Sequence, residues 1–192
     1  HGQRGGDAGK EEQAEPHGTG DWAEPAPFLE QRRQGEKAER EAAATGAKVV
    51  VSSRKPAACQ AVADAITASG GEAMVIPCNV SEKDQLQNLV DQAVARFGRL
   101  DILVCNAAVN PYFGPMAKMP DEAYDKIMHS NVRSNFWLCN MAAPHMVASG
   151  GGSIIIVSSI GGRQGSPTLA VYGMSKAADS SLAMSLAVGL LG

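Results

Sequence analysis

Past residue 46, apolar residues fall into two alternating patterns. Short continuous runs of aliphatic and β-branched side chains stand at 48–52, 73–76, 100–105 and 153–158, the last reading SIIIVS. Runs of this length, apolar on both faces, predict buried strands. Between them the apolar positions recur every three or four residues, the spacing of one helix face. Residues 56–69 predict a helix with Pro56 in its first turn, where a missing N–H costs no hydrogen bond. A second helix runs to Phe97, with Ser81 as its N-cap and Asp84 three residues on. A third covers 121–147, which Pro144 should kink or split, and a fourth covers 169–191. Strands that alternate with helices must be joined by crossovers and therefore pair in parallel. The predicted fold is α/β, a doubly wound parallel sheet with helices on both faces. No internal repeat is present.

Composition divides the chain. Residues 1–41 hold 16 charged residues, no Val, no Ile, and Pro16, Pro25 and Pro27. Such a segment buries too little apolar surface to offset its ordering entropy, and it is expected to be a largely disordered tail. Its end differs: 29–44 is rich in Glu, Arg, Gln and Ala and predicts a helix that stops near Gly46. The folded domain is therefore expected over 42–192. With 44% hydrophobic residues the chain can build one sizeable core. A formal net charge of -3 gives no electrostatic reason to expect nucleic acid or an anionic membrane as partner. Cys59, Cys78, Cys105 and Cys139 form no Cys-x-x-Cys pair and fall within or beside predicted elements, which predicts buried thiols in a reducing, cytoplasmic setting. There is no apolar run of about 18 residues and no signal-peptide core.

The chemistry-bearing feature is Tyr172 with Lys176 one helical turn on and Ser159 thirteen residues upstream, at the end of a predicted strand. A phenol with a pKa of about 10 exchanges protons poorly near neutrality. An ammonium on the same helix face stabilises the tyrosinate and lowers that pKa. Tyr172 is thus the candidate acid for a carbonyl or base for an alcohol, and Ser159 can donate to the oxygen where charge develops. The three donors of Lys176 can also hold a ribose. His and Cys are scattered, so no metal site is indicated. A redox reaction here needs a bound organic hydride carrier.

Together, VVVSSRK from Val49, CNV from Cys78, LDILVCNAA from Leu100, Asn131, SIIIVSSIG from Ser153 and YGMSK from Tyr172 resemble the short-chain dehydrogenases/reductases. The run NAAVNPYFGP from Asn106 is most similar to their dehydrogenase/reductase member 4 group, NADP-dependent carbonyl reductases and retinol dehydrogenases. The resemblance covers about 42–188 and implies a Rossmann-like sheet, a homo-oligomer and the catalytic tetrad Asn131, Ser159, Tyr172 and Lys176, with Asn131 holding a water in a proton relay. It implies cofactor contacts at Ser53, Arg54, Lys55, Asn79, Val80, Asn106, Ala107, Ala108, Tyr172 and Lys176. Two positive charges after the first strand favour a 2′-phosphate, hence NADP over NAD. Asn79 stands where the family often carries an aspartate. Tyr112 and Phe113 are candidates for lining a substrate pocket.

Two departures accompany the match. The family's first strand and glycine-rich phosphate turn have no counterpart before Val49, since Gly18-Thr19-Gly20 lacks a preceding strand and a third glycine. The family's C-terminal strands are likewise not represented before Gly192. The expectation is a partial domain, read either as an NADP-dependent carbonyl reductase or alcohol dehydrogenase acting on a small molecule, or as a noncatalytic fragment or interaction protein that uses the helices at 121–147 and 169–191.

Overall fold

The computed structural model describes residues 26–189, with side chains from residue 33 onward. Gly18-Thr19-Gly20 and most of the expected tail lie outside the described residues. Four strands form: β1 (Lys48–Val51), β2 (Glu72–Val75), β3 (Ile102–Cys105) and β4 (Ser153–Ile156). Six helices accompany them: α1 (Ala26–Ala44), α2 (Pro56–Ala68), α3 (Lys83–Phe97), α4 (Asp121–Met128), α5 (Ser134–Ala148) and α6 (Ala170–Gly189). A π-helical turn, His129–Arg133, joins α4 to α5, and a 3₁₀ turn, Ile160–Gly162, stands between β4 and α6.

All strand pairing is parallel, as the alternation of elements required. β1 pairs with β2 from Lys48↔Glu72 to Val51↔Val75, and β3 pairs with β4 from Ile102↔Ser153 to Cys105↔Ile156. These are two separate two-stranded sheets; among the described residues no strand joins them. Each has its own core. Val51 packs with Cys59, Val62, Ala63 and Ile66 of α2 and with Ala43 of α1. Cys105 packs with Leu86 and Val90 of α3 and Leu138 and Cys139 of α5. The other face of the second sheet is uncovered, with Ile102, Val104 and Ile155 each about half exposed.

Helix α1 turns Gly35, Glu36, Glu39, Ala42 and Ala43 inward, at the three- and four-residue spacing of one face. It ends on Gly46, whose φ of 92° closes the turn into β1. Glu39 on that inner face has its carboxyl raised to about 7, first by burial and next by Glu36, with Arg40 opposing.

Two sequence expectations are corrected. Ser81 does not cap α3: the N-cap is Glu82, without a side-chain bond. Asn79 accepts from the Ser81 N–H (3.2 Å), and that turn leaves the Ser81 hydroxyl to meet Ser130 Oγ at 3.1 Å. The long helix does not break at Pro144, which sits inside α5. It breaks ahead of α5, at the π turn, where one extra residue per turn re-aims the side chains. All four cysteines are buried and free, as expected. Among the described residues no helix is long and apolar enough to cross a membrane.

Candidate active site

The loop that leaves β4 is stitched to α6 by its own backbone. Ser158 Oγ donates to the Lys176 carbonyl (2.9 Å), and Lys176 Nζ donates to the Val157 carbonyl (2.9 Å). Helix and turn approach so closely that only glycine fits. A Cβ on Gly173 would lie 2.6 Å from the Gly161 carbonyl oxygen, and one on Gly162 would lie 2.8 Å from the Lys176 backbone. This contact sets Ser159 beside Tyr172: a Cβ on Gly161 would lie 3.6 Å from Ser159 Oγ and 3.9 Å from the Tyr172 ring.

Tyr172 is half-buried. Its phenol is raised above the ordinary tyrosine value, chiefly by burial; the Ser159 hydroxyl opposes this and the Asp179 charge adds to it. The sequence predicted the reverse, a value lowered by Lys176. The reason is where the ammonium goes: Lys176 is 1% exposed and its Nζ lies 3.0 Å from Asp179 Oδ2. The second Asp179 oxygen accepts from Asn135 Nδ2 at 2.9 Å. Lys176 is at the site, with its charge turned into the fold.

Asn131 is fully buried rather than facing solvent. Its Oδ1 accepts from the Val109 N–H (2.8 Å), and its Nδ2 donates to the Val109 carbonyl (3.0 Å) and to Ser175 Oγ (3.0 Å). Ser175 in turn donates to the Tyr172 carbonyl (2.7 Å). One amide thus ties the loop after β3 to α6. The π turn makes this possible, because it places Asn131 toward the loop instead of along the helix surface. Next to the clamp, the buried amide of Asn110 has no hydrogen-bond partner on either atom.

The expected cofactor residues form a second group. Ser53, Arg54 and Lys55 follow β1 and are exposed. Ser53 Oγ accepts from the Lys55 N–H (3.1 Å), and the Ser53 carbonyl accepts from the Cys78 N–H (3.1 Å), which brings this loop beside the one after β2. Asn79 and Val80 in that second loop are half-buried. Asn106 follows β3 against α1, where a Cβ on Gly35 would come within 2.9 Å of its Nδ2. Ala107 is exposed and Ala108 half-buried. Tyr112 folds back to donate to the Pro115 carbonyl (2.9 Å), while Phe113 stands 51% exposed.

Sequence reasoning did not find Asp179, Asn135 or Ser175. The signal was helical spacing: Asn131 with Asn135, and Ser175 with Asp179, are four residues apart and share a face.

A family model described as short chain dehydrogenase matches residues 34–191. The dehydrogenase/reductase SDR family member 4 of Sus scrofa is 40% identical over 151 residues, 79% of this chain and 54% of that protein. The chain spans about half the length of the curated relatives it matches. A metagenomic short-chain oxidoreductase solved in complex with NADP superposes with TM-score 0.78 at 33% identity, covering 81% of this chain and 71% of that one. A 7α-hydroxysteroid dehydrogenase complexed with NADH and 7-oxo glycochenodeoxycholic acid superposes with TM-score 0.76 at 35% identity, covering 81% and 60%.

Proposed function

The chain belongs to the short chain dehydrogenase family, and from that premise we propose that it carries the proton-transfer half of an NADP-dependent oxidoreductase interconverting a small carbonyl compound and its alcohol. The observation that carries this reading is the juxtaposition of the Tyr172 and Ser159 side chains beside Gly161, with Lys176 and Asn131 on adjoining turns. Ser159 is placed to hydrogen-bond a carbonyl oxygen as negative charge grows on it. Tyr172, a phenol that is protonated at neutral pH, delivers its proton to that oxygen, or takes one from an alcohol in reverse. Asn110 has a buried amide with both atoms unpaired, a cost of about 1–3 kcal/mol that a polar group of substrate or cofactor would relieve.

The cofactor, when bound, supplies the hydride. The residues fit its two ends. Exposed Arg54 and Lys55 would hold a 2′-phosphate, Asn79 and Val80 the adenine side, and Asn106, Ala107 and Ala108 the nicotinamide side. The middle is different: among the described residues no glycine-rich turn offers N–H groups to a pyrophosphate, and α1 itself lies against Asn106. Helices α4 to α6 are the surface we assign to self-association, and four buried free thiols favour a cytoplasmic setting.

A noncatalytic reading is favoured by one observation, the burial of the Lys176 charge against Asp179. Fluorescence titration separates the two. The enzyme reading expects NADPH to bind more tightly than NADH. It also expects Tyr172→Phe to abolish carbonyl-dependent NADPH oxidation while leaving nucleotide affinity within about twofold, because only the donor proton is removed. Absence of nucleotide binding at millimolar concentration would leave the noncatalytic reading.

A further inference from the structure

Tyr172, Lys176 and Asp179 form one stripe along α6, spaced four and then three residues apart. A lysine between a phenol and a carboxylate has two destinations, and its aliphatic stem reaches either. In this structure the ammonium has taken the inner one. It sits 3.0 Å from Asp179 Oδ2 and 2.9 Å from the Val157 carbonyl, with the two side chains 1% and 0% exposed. Asp179 cannot follow the lysine outward, because Asn135 Nδ2 holds its other oxygen and Asn135 also donates to the Asn131 carbonyl (2.7 Å). Moving the ammonium to the phenol would leave a buried carboxylate without its counter-charge, a heavy penalty in low dielectric.

We propose that Asp179 is a positioning residue that locks the Lys176 ammonium inside the fold and withholds its charge from the Tyr172 phenol. The inference rests on the reading of Tyr172 as proton donor for its functional meaning, and on geometry alone for its structural content. Other titratable groups do not account for the effect. Cys105 and Cys139 are buried thiols that feel the Asp179 charge. His145 lies near the far end of α5. On the π turn, His129 and Arg133 engage each other and the Ser81 carbonyl. On α4, Tyr124, Asp125 and Lys126 are exposed, as is Arg163 after the 3₁₀ turn.

The lock has a consequence of definite sign. Asp179→Asn keeps shape and one acceptor oxygen but removes the counter-charge. The ammonium is then free to face the phenol, the tyrosinate is favoured, and the Tyr172 midpoint falls. The chain has three tyrosines, so ring-carbon-labelled tyrosine followed by NMR from pH 7 to 12, with Tyr172→Phe for assignment, reads that midpoint directly. The expected drop in D179N is about one unit or more. In a K176M background the same substitution should give a clearly smaller drop, since there is no ammonium to release. An unchanged midpoint in folded D179N overturns the proposal. So does an equal drop in the K176M background, which would mean that only the field of the carboxylate had been removed. Should D179N not fold, the unmutated protein still decides: under reductive methylation Lys176 should stay unmodified while exposed Lys83 and Lys118 react, and labelling of Lys176 as fast as Lys83 overturns the lock. Neither readout needs nucleotide or turnover, so failure of the lock is distinct from failure of the oxidoreductase reading.

Discussion

Asn131 holds more of this site together than any other single side chain. Three hydrogen bonds join it to both backbone groups of Val109 and to Ser175. Asn131→Ala removes the partner of both Val109 backbone groups, which are part-buried, and is expected to cost about 1–3 kcal/mol of stability, read from urea denaturation. A loss below about 1 kcal/mol would show that water takes over the clamp. Arg54 and Lys55, proposed to hold the 2′-phosphate, would act by charge and not by packing, since both are exposed. Replacing both with Ser should bring the NADPH-to-NADH affinity ratio close to one without altering the thermal midpoint, as fluorescence titration and calorimetry would record.

Between elements, the close contact of the 3₁₀ turn with α6 decides whether Ser159 and Tyr172 meet. Gly173→Ala puts a methyl 2.6 Å from the Gly161 carbonyl. The turn must move, at a cost of about 1–3 kcal/mol, and the Ser159–Tyr172 juxtaposition should be lost. Gly165→Ala is the matched control, because nothing lies within 4 Å of its added methyl. A thermal midpoint several degrees lower for the first and unchanged for the second is the expected result. On α1, Glu39 makes the fold pH-dependent. Its folded value of about 7 exceeds the ordinary carboxylate value of about 4.5, so the folded state holds the proton more tightly. Its stabilising contribution is therefore complete below 4.5 and is lost as the pH rises to 7. The thermal midpoint should fall between pH 5 and pH 8, and Glu39→Gln should flatten that fall.

Over the whole molecule, the two sheets carry two separate hydrophobic cores. One polar contact between them is Glu72 on β2 with Arg96 of α3 at 2.6 Å, both substantially exposed. Exposed ion pairs contribute at most about 1 kcal/mol each, too little to make two cores melt as one. Heating followed by calorimetry should give a broad transition whose van't Hoff enthalpy falls short of the calorimetric one. Hydrogen exchange should protect β1–β2 and β3–β4 to different extents. A single sharp transition with matching enthalpies would contradict this.

The kind and order of the strands and of the helical segments from β1 to α6 were legible in the chain, because continuous apolar runs and helical periodicity are local properties. So were Tyr172 and Ser159 as candidates, since phenol and hydroxyl chemistry belongs to residue type, whereas Asn131 was a candidate only through the family resemblance. Boundaries shifted where a side chain found a distant partner: Ser81 gave up its capping role for Ser130, 49 residues away. The π turn was not legible, because nothing in HSNVR marks an extra residue until Val109 and Ser175 stand opposite Asn131. The direction of the Lys176 ammonium was the largest difference. Sequence spacing puts Tyr172 and Asp179 equally within its reach, and only the packed fold, by desolvating Asp179 and clamping it through Asn135, makes the inner partner the one that must be neutralised.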